Sequence, residues 1–143
     1  MRIYLDTSAL AKAYISERGS EGVRGLIEQA SHTFISSLNI TEMRCLFARR
    51  ARAGDFTPDV ESRLWSAFQA DEQDEVFDLV RVEPAVYPQA AALIDRVAPT
   101  PLCTLDALHL CIAEHLDLNQ FITTDKQLAK AAQTIGLNVE QPQ

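Results

Sequence analysis

Ile3-Tyr4-Leu5-Asp6-Thr7-Ser8-Ala9-Leu10-Ala11-Lys12-Ala13-Tyr14 passes from a short apolar run, through an acid and two hydroxyl residues, into a helix-forming stretch. The run Ile3 to Leu5 reads as a strand, and Thr7 or Ser8 can cap the helix behind it. A carboxylate directly after an apolar opening strand lies near a sheet interior, where unpaired charge is costly. Asp6 therefore needs a partner, and strand followed by helix predicts an α/β chain.

The remaining sequence repeats this alternation. Gly19-Ser20-Glu21 restarts a helix through about Ala30, and Thr33-Phe34-Ile35-Ser36 is a strand of β-forming residues. A long helix over 38–53 follows, capped by Ser37 or Asn39 and ended by Gly54. Thr57-Pro58 opens another, a capping hydroxyl before Pro at the first helical position, running to near Asp74. Val76 to Val82 reads as a strand. Pro84 opens a helix that stops at Pro99-Thr100-Pro101, and Thr104 caps the next. Leu105 to Leu116 is apolar on nearly every side, which marks a helix buried in the domain. Gln120-Phe121-Ile122-Thr123 is a strand, a helix follows from Lys126 to about Ile135, and Leu137-Asn138-Val139 adds an edge strand. The pattern predicts a parallel sheet flanked by helices.

At 143 residues the chain suits one domain, 1–143, with one well-buried core. A composition 47% hydrophobic and 23% charged excludes a disordered class. No apolar run approaches a membrane span, and the acid at position 6 precludes a secretory core, so a cytoplasmic location is expected. Cys45, Cys103 and Cys111 contain no CxxC pair and read as reduced, small core residues. Net charge is −7, which opposes binding to a phosphate backbone. That charge is segregated: residues 1–53 hold eight Lys and Arg against five Asp and Glu, a net +3, leaving −10 for the remainder. Arg44, Arg49, Arg50 and Arg52 share the 38–53 helix with Glu42, so either a basic surface borders an acidic site or the helix has a solvated face.

Asp6, Glu42, Asp106 and Asp125 each fall where a strand ends or a helix begins, and in a parallel sheet such junctions gather at one rim. Converging carboxylates raise one another's pKa values unless a divalent cation keeps them ionised. Each acid also has an ordinary explanation: Asp106 complements a helix dipole, Asp125 caps the last helix, and Glu42 forms a capping box if Asn39 is the cap. Ser8 is either a cap or a hydroxyl that orients a ligand. His109 reads as a hydrogen-bonded core histidine, and Cys111 with His115 lacks the further ligands zinc requires. Trp65 and Phe68 belong to packing.

At these residues the chain resembles PIN-domain proteins, and within them the VapC-type toxins of bacterial toxin-antitoxin pairs. The matching pieces are Tyr4-Leu5-Asp6-Thr7-Ser8, Glu42, Leu105-Asp106-Ala107-Leu108-His109 and Phe121-Ile122-Thr123-Thr124-Asp125-Lys126, which together span almost the whole chain. The resemblance implies a three-layer α/β/α fold around a parallel sheet of four to five strands. It also implies a ribonuclease dependent on Mg²⁺ or Mn²⁺, an RNA substrate, a small cognate antitoxin and a homodimer. Carried over, Asp6, Glu42, Asp106 and Asp125 form the metal site and Ser8 is its nearby hydroxyl. Many relatives have a basic residue just before the third acid, where this chain has Cys103-Thr104-Leu105. On chemical grounds Mg²⁺ takes one or two direct carboxylates plus waters, with Asp6 and Asp106 as the most direct.

Two other functions compete. Phosphotransfer through an aspartyl intermediate would make Asp6 the nucleophile, but haloacid-dehalogenase-like enzymes place a second acid two residues on, where this chain has Ser8. A degenerate PIN-like binding scaffold is the other, and retention of all four acids argues against it.

Overall fold

Along the strand Arg2–Leu5 (β1), Ile3 and Leu5 face one half of the core and Tyr4 the other. This period of two, with all three side chains fully buried, is the mark of a strand covered by helices on both faces. The computed structural model describes residues 1–143. After β1 come α1 (Thr7–Tyr14), α2 (Ser20–Gln29), β2 (His32–Ser36), α3 (Ser37–Arg52), α4 (Pro58–Gln73) and β3 (Asp78–Val80). The chain continues through α5 (Val86–Arg96), α6 (Thr104–Glu114), β4 (Gln120–Ile122), α7 (Lys126–Thr134) and β5 (Val139–Glu140). All five strands are parallel, in the order β3-β2-β1-β4-β5. The sheet is the middle of three layers, the α/β/α arrangement expected.

Ile3, Leu5, Ile35 and Ile122 meet Leu10, Met43, Phe47 and Phe68 from α1, α3 and α4. On the opposite face Tyr4 and Phe121, stacked at 5.7 Å between ring centroids, meet Leu93 of α5, Leu110 of α6 and Leu128 of α7. Helix α6 buries seven consecutive residues, Ala107 to Ala113, as its apolar circumference requires.

Several local expectations are corrected. Asp6 itself caps α1 by accepting from the Ala9 N–H at 2.9 Å, so Thr7 is the first helical residue and Ser8 the second. Ser36 caps α3, and Asn39 completes the capping box from the third helical position. Glu42 is therefore outside any capping box. The strand predicted over 76–82 is only Asp78–Val80 because Glu75 takes φ 57° and Phe77 turns into the core, leaving a short edge strand. Pro84 lies in a turn before α5, and Cys103 rather than Thr104 precedes α6 as its cap. Of the three cysteines only Cys111 is buried; Cys45 and Cys103 are exposed, which corrects their assignment to the core. Trp65 and Phe68 do pack against the α3–α4 side of the core.

Thr57 caps α4 as expected, its hydroxyl accepting from the Val60 N–H at 3.3 Å with Pro58 next in line. Thr57→Ala is expected to cost about 1 kcal/mol, measured by urea unfolding.

Candidate active site

Strand order reverses direction at β1: β2 and β3 extend to one side, β4 and β5 to the other. In open parallel sheets, ligands sit beyond the carboxyl ends of the strands at such a point. Asp6 follows β1 there and Thr123 follows β4, and the Thr123 hydroxyl donates to Asp6 Oδ2 at 2.6 Å across the junction. A cavity of about 610 Å³ opens over it, and its lining includes Asp6, Ser8, Glu42, Asp106 and Asp125. All five residues singled out in the sequence thus share one cavity. The same rim holds the starts of α1, α3, α6 and α7, whose N-terminal partial positive charges favour anionic groups.

Asp6 is the buried member, 4% exposed. Oδ1 accepts from the Ala9 N–H and from the Ser8 hydroxyl at 2.7 Å, and Oδ2 accepts from Thr123. Those hydroxyls accept in turn from backbone amides, Thr124 N–H to Ser8 Oγ at 3.0 Å and Asp125 N–H to Thr123 Oγ1 at 3.1 Å. Donors are thus aligned toward the carboxylate, which makes Ser8 a bridge between β1 and β4 and not only a helix residue. Burial nevertheless pushes the Asp6 carboxyl above its ordinary range, against the lowering effect of Thr123, Ala9 and Ser8.

The other three acids each have one oxygen held by the protein and one without a protein donor. Glu42 Oε1 accepts from Thr7 Oγ1 at 3.0 Å and lies 2.5 Å from His109 Nε2. Asp106 Oδ2 accepts from the Cys103 thiol at 3.0 Å. Asp125 Oδ1 caps α7 through the Gln127 and Leu128 amides, as its ordinary explanation requires. Glu42 Oε2, Asp106 Oδ1 and Asp125 Oδ2 remain for a ligand. The Asp106 carboxyl is raised above its ordinary value by partial burial, with the Asp125 charge adding to the rise and the Cys103 thiol opposing it.

Carboxylate and hydroxyl oxygens predominate in the lining, the donor type a hard ion prefers, and the Cys103 thiol is engaged as a donor to Asp106. No three His, Cys, Asp or Glu side chains stand close enough together to enclose an ion. An ion held here would have to rest on one or two direct carboxylates and keep several waters, the manner of Mg²⁺ or Mn²⁺.

Sequence reasoning left out four residues that build this site. His109 is the expected hydrogen-bonded core histidine, 1% exposed, yet its second nitrogen reaches Glu42. A signal existed: it follows Asp106 by three residues on one helix, a spacing that places both on one face. Thr7, Thr123 and Asn39 supply the remaining positioning bonds. The basic cluster, by contrast, is dispersed. Arg44 pairs with Glu61 and lies over Trp65, Arg50 is held by Glu17 and Asp55, and of the four arginines only Arg49 lines the cavity.

Comparison with known proteins agrees with this geometry. The family profile described as PIN domain matches residues 3–133. The chain is 32% identical to Ribonuclease VapC46 of Mycobacterium tuberculosis, over 98% of this chain and 97% of that one. It is 27% identical to Ribonuclease VapC47 of the same species, over 98% and 96%. Among solved structures it is similar to Mycobacterium tuberculosis VapC20, a sarcin-ricin-loop-cleaving toxin, with TM-score 0.75 and 18% identity over 98% of this chain and 99% of that one.

Proposed function

The chain belongs to the PIN-domain family, and from that premise we propose that it is an endoribonuclease, dependent on Mg²⁺ or Mn²⁺, acting as the toxin of a toxin-antitoxin pair. One observation carries the reading: acids from four separate segments line one cavity at the sheet's switch point, three of them with an oxygen free for a ligand. A binding scaffold has no use for like charges gathered in a half-buried cleft. Two relatives named ribonucleases, matched along nearly their whole length, support the substrate class.

Asp106 would hold the ion directly through its free Oδ1, Glu42 and Asp125 would complete the shell directly or through water, and Asp6, whose oxygens already accept from Ala9, Ser8 and Thr123, would join by giving up one of those hydroxyl donors. An ion held by these carboxylates would offset their repulsion and would supply activation of water and stabilisation of charge on the phosphate oxygens. Ser8 and Thr123 keep Asp6 oriented from both strands. Arg49, on the cavity wall, meets the substrate's phosphate backbone. No protein nucleophile is needed, and Asp6 suits that task poorly because it is buried with both oxygens engaged. The proposal includes a small antitoxin partner, a homodimer and action in the cytoplasm, where the RNA is; no helix is long and apolar enough to cross a membrane.

The test is to incubate purified protein with total RNA and map new ends by sequencing. Discrete ends are expected with Mg²⁺, none in EDTA, and recovery when excess Mg²⁺ is restored. Equal cleavage in EDTA refutes the ion-dependent chemistry. Absence of both cleavage and ion binding returns the chain to the scaffold reading.

A further inference from the structure

Tyr4 is fully buried, and its hydroxyl lies 2.6 Å from His109 Nδ1, with the Ser36 hydroxyl beside it as a donor. A phenol at neutral pH carries one hydrogen, and with the Ser36 hydroxyl donating to the phenol oxygen that hydrogen is left for Nδ1. Donated to Nδ1, it makes that nitrogen an acceptor. The ring's own hydrogen must then sit on Nε2, which faces Glu42 Oε1 at 2.5 Å. The opposite tautomer would set two acceptors against each other at that distance. His109 packs edge-on against Tyr4, with ring centroids 5.8 Å apart at 66°, which fixes the imidazole plane as well.

The second bond to Glu42 has the same polarity. Asn39 Nδ2 donates to Thr7 Oγ1 at 3.1 Å, and Thr7 donates its single hydroxyl hydrogen to the same Oε1 at 3.0 Å. Two chains of donors therefore end on one oxygen and leave Oε2 free. Resting on the proposed ion site, we propose that Tyr4 and His109 are positioning residues: Tyr4 sets the tautomer of His109, and His109 holds Glu42 so that Oε2 serves the ion.

The experiment uses the full chain without metal at neutral pH, with nitrogen NMR of the imidazoles, followed by Mn²⁺ titration. In the unmodified protein His109 should carry its hydrogen on Nε2, and Glu42→Gln should shift that resonance. Tyr4→Phe should weaken calorimetric Mn²⁺ affinity about tenfold, the lower end of the effect usual for supporting residues. It should lower kcat at fixed Mn²⁺ while leaving KM for RNA unchanged. His109→Leu should lose more than Tyr4→Phe, and His109→Gln, whose amide can donate to Glu42, should recover part of that loss. A hydrogen on Nδ1, or Mn²⁺ affinity unchanged in Tyr4→Phe despite a lower melting temperature, overturns the assignment. If the unmodified protein neither binds Mn²⁺ nor cuts RNA, it is the ribonuclease reading that fails. The tautomer and its response to Glu42→Gln then decide whether the relay exists: no response sinks it.

Discussion

Asp106→Asn is expected to reduce RNA cleavage by at least about 100-fold, because residues that merely support metal ligands already cost 10- to 100-fold when lost. The same substitution should stabilise the fold when no ion is present. Burial raises the folded-state pKa of Asp106 above its ordinary 3.8, so the fold prefers the protonated carboxyl. A raised folded pKa contributes stability that is fully present below the unfolded value and is lost as pH climbs through the folded one. In EDTA the melting temperature of Asp106→Asn should therefore exceed that of the unmodified protein by a margin that widens from about pH 4 upward. Mg²⁺ should narrow the margin, since it binds the ionised site and stabilises only the protein that has it. Thermal melts across pH, with and without Mg²⁺, measure both effects. A variant that cuts RNA at full rate, or that melts lower at every pH, contradicts the assignment of Asp106 as an ion ligand.

Asn39→Leu is expected to destabilise the protein by about 2–4 kcal/mol, a large share of the 5–15 kcal/mol typical of a domain. Asn39 is fully buried and all its bonds join different elements. Its Oδ1 accepts from the Ser36 N–H at 2.8 Å, closing the start of α3, and its Nδ2 donates to the Leu5 carbonyl at 3.3 Å and to Thr7. Leucine has similar bulk but strands these groups without a partner, and each stranded buried group costs about 1–3 kcal/mol. Guanidinium unfolding reads the loss. Because the Thr7 hydroxyl is then free to turn from Glu42, cleavage should fall even at temperatures where the variant stays folded. A stability change below about 0.5 kcal/mol, the usual range for neutral surface substitutions, is the contrary result.

What was legible in the sequence was local. An acid after an apolar strand, an acid before an amphipathic helix and an acid in the first turn of an apolar helix carry their own positional meaning, so the sequence put Asp6, Asp125 and Asp106 at the junctions where the structure has them. The order of strands and helices likewise implied a parallel sheet. What was hidden depends on distance along the chain. Thr123 lies 117 residues from the Asp6 it supports, and His109 lies 67 residues from Glu42. The three-residue spacing from Asp106 puts His109 on the same helix face, but it does not say that a histidine satisfied within the core also reaches a residue as distant in sequence as Glu42. The arginines show the converse. Four of them on one helix suggest a patch, but whether each meets solvent or an acid depends on the places of Glu17, Asp55 and Glu61, which only the fold determines. Asn39, read as a possible cap, lies three positions past the actual one: with Ser36 capping α3, the amide turns inward to β1.

The place of β4 beside the central strand β1 bears on how such a protein is made. The strand beside β1 begins only at Gln120, so a nascent chain halted before it has β1 open along one side and lacks both Thr123 and Asp125. Sequence-distant pairing of this kind waits for the late segment to leave the ribosome. Under the proposed activity, a polypeptide that lacks this segment has no assembled cutting centre and leaves RNA intact.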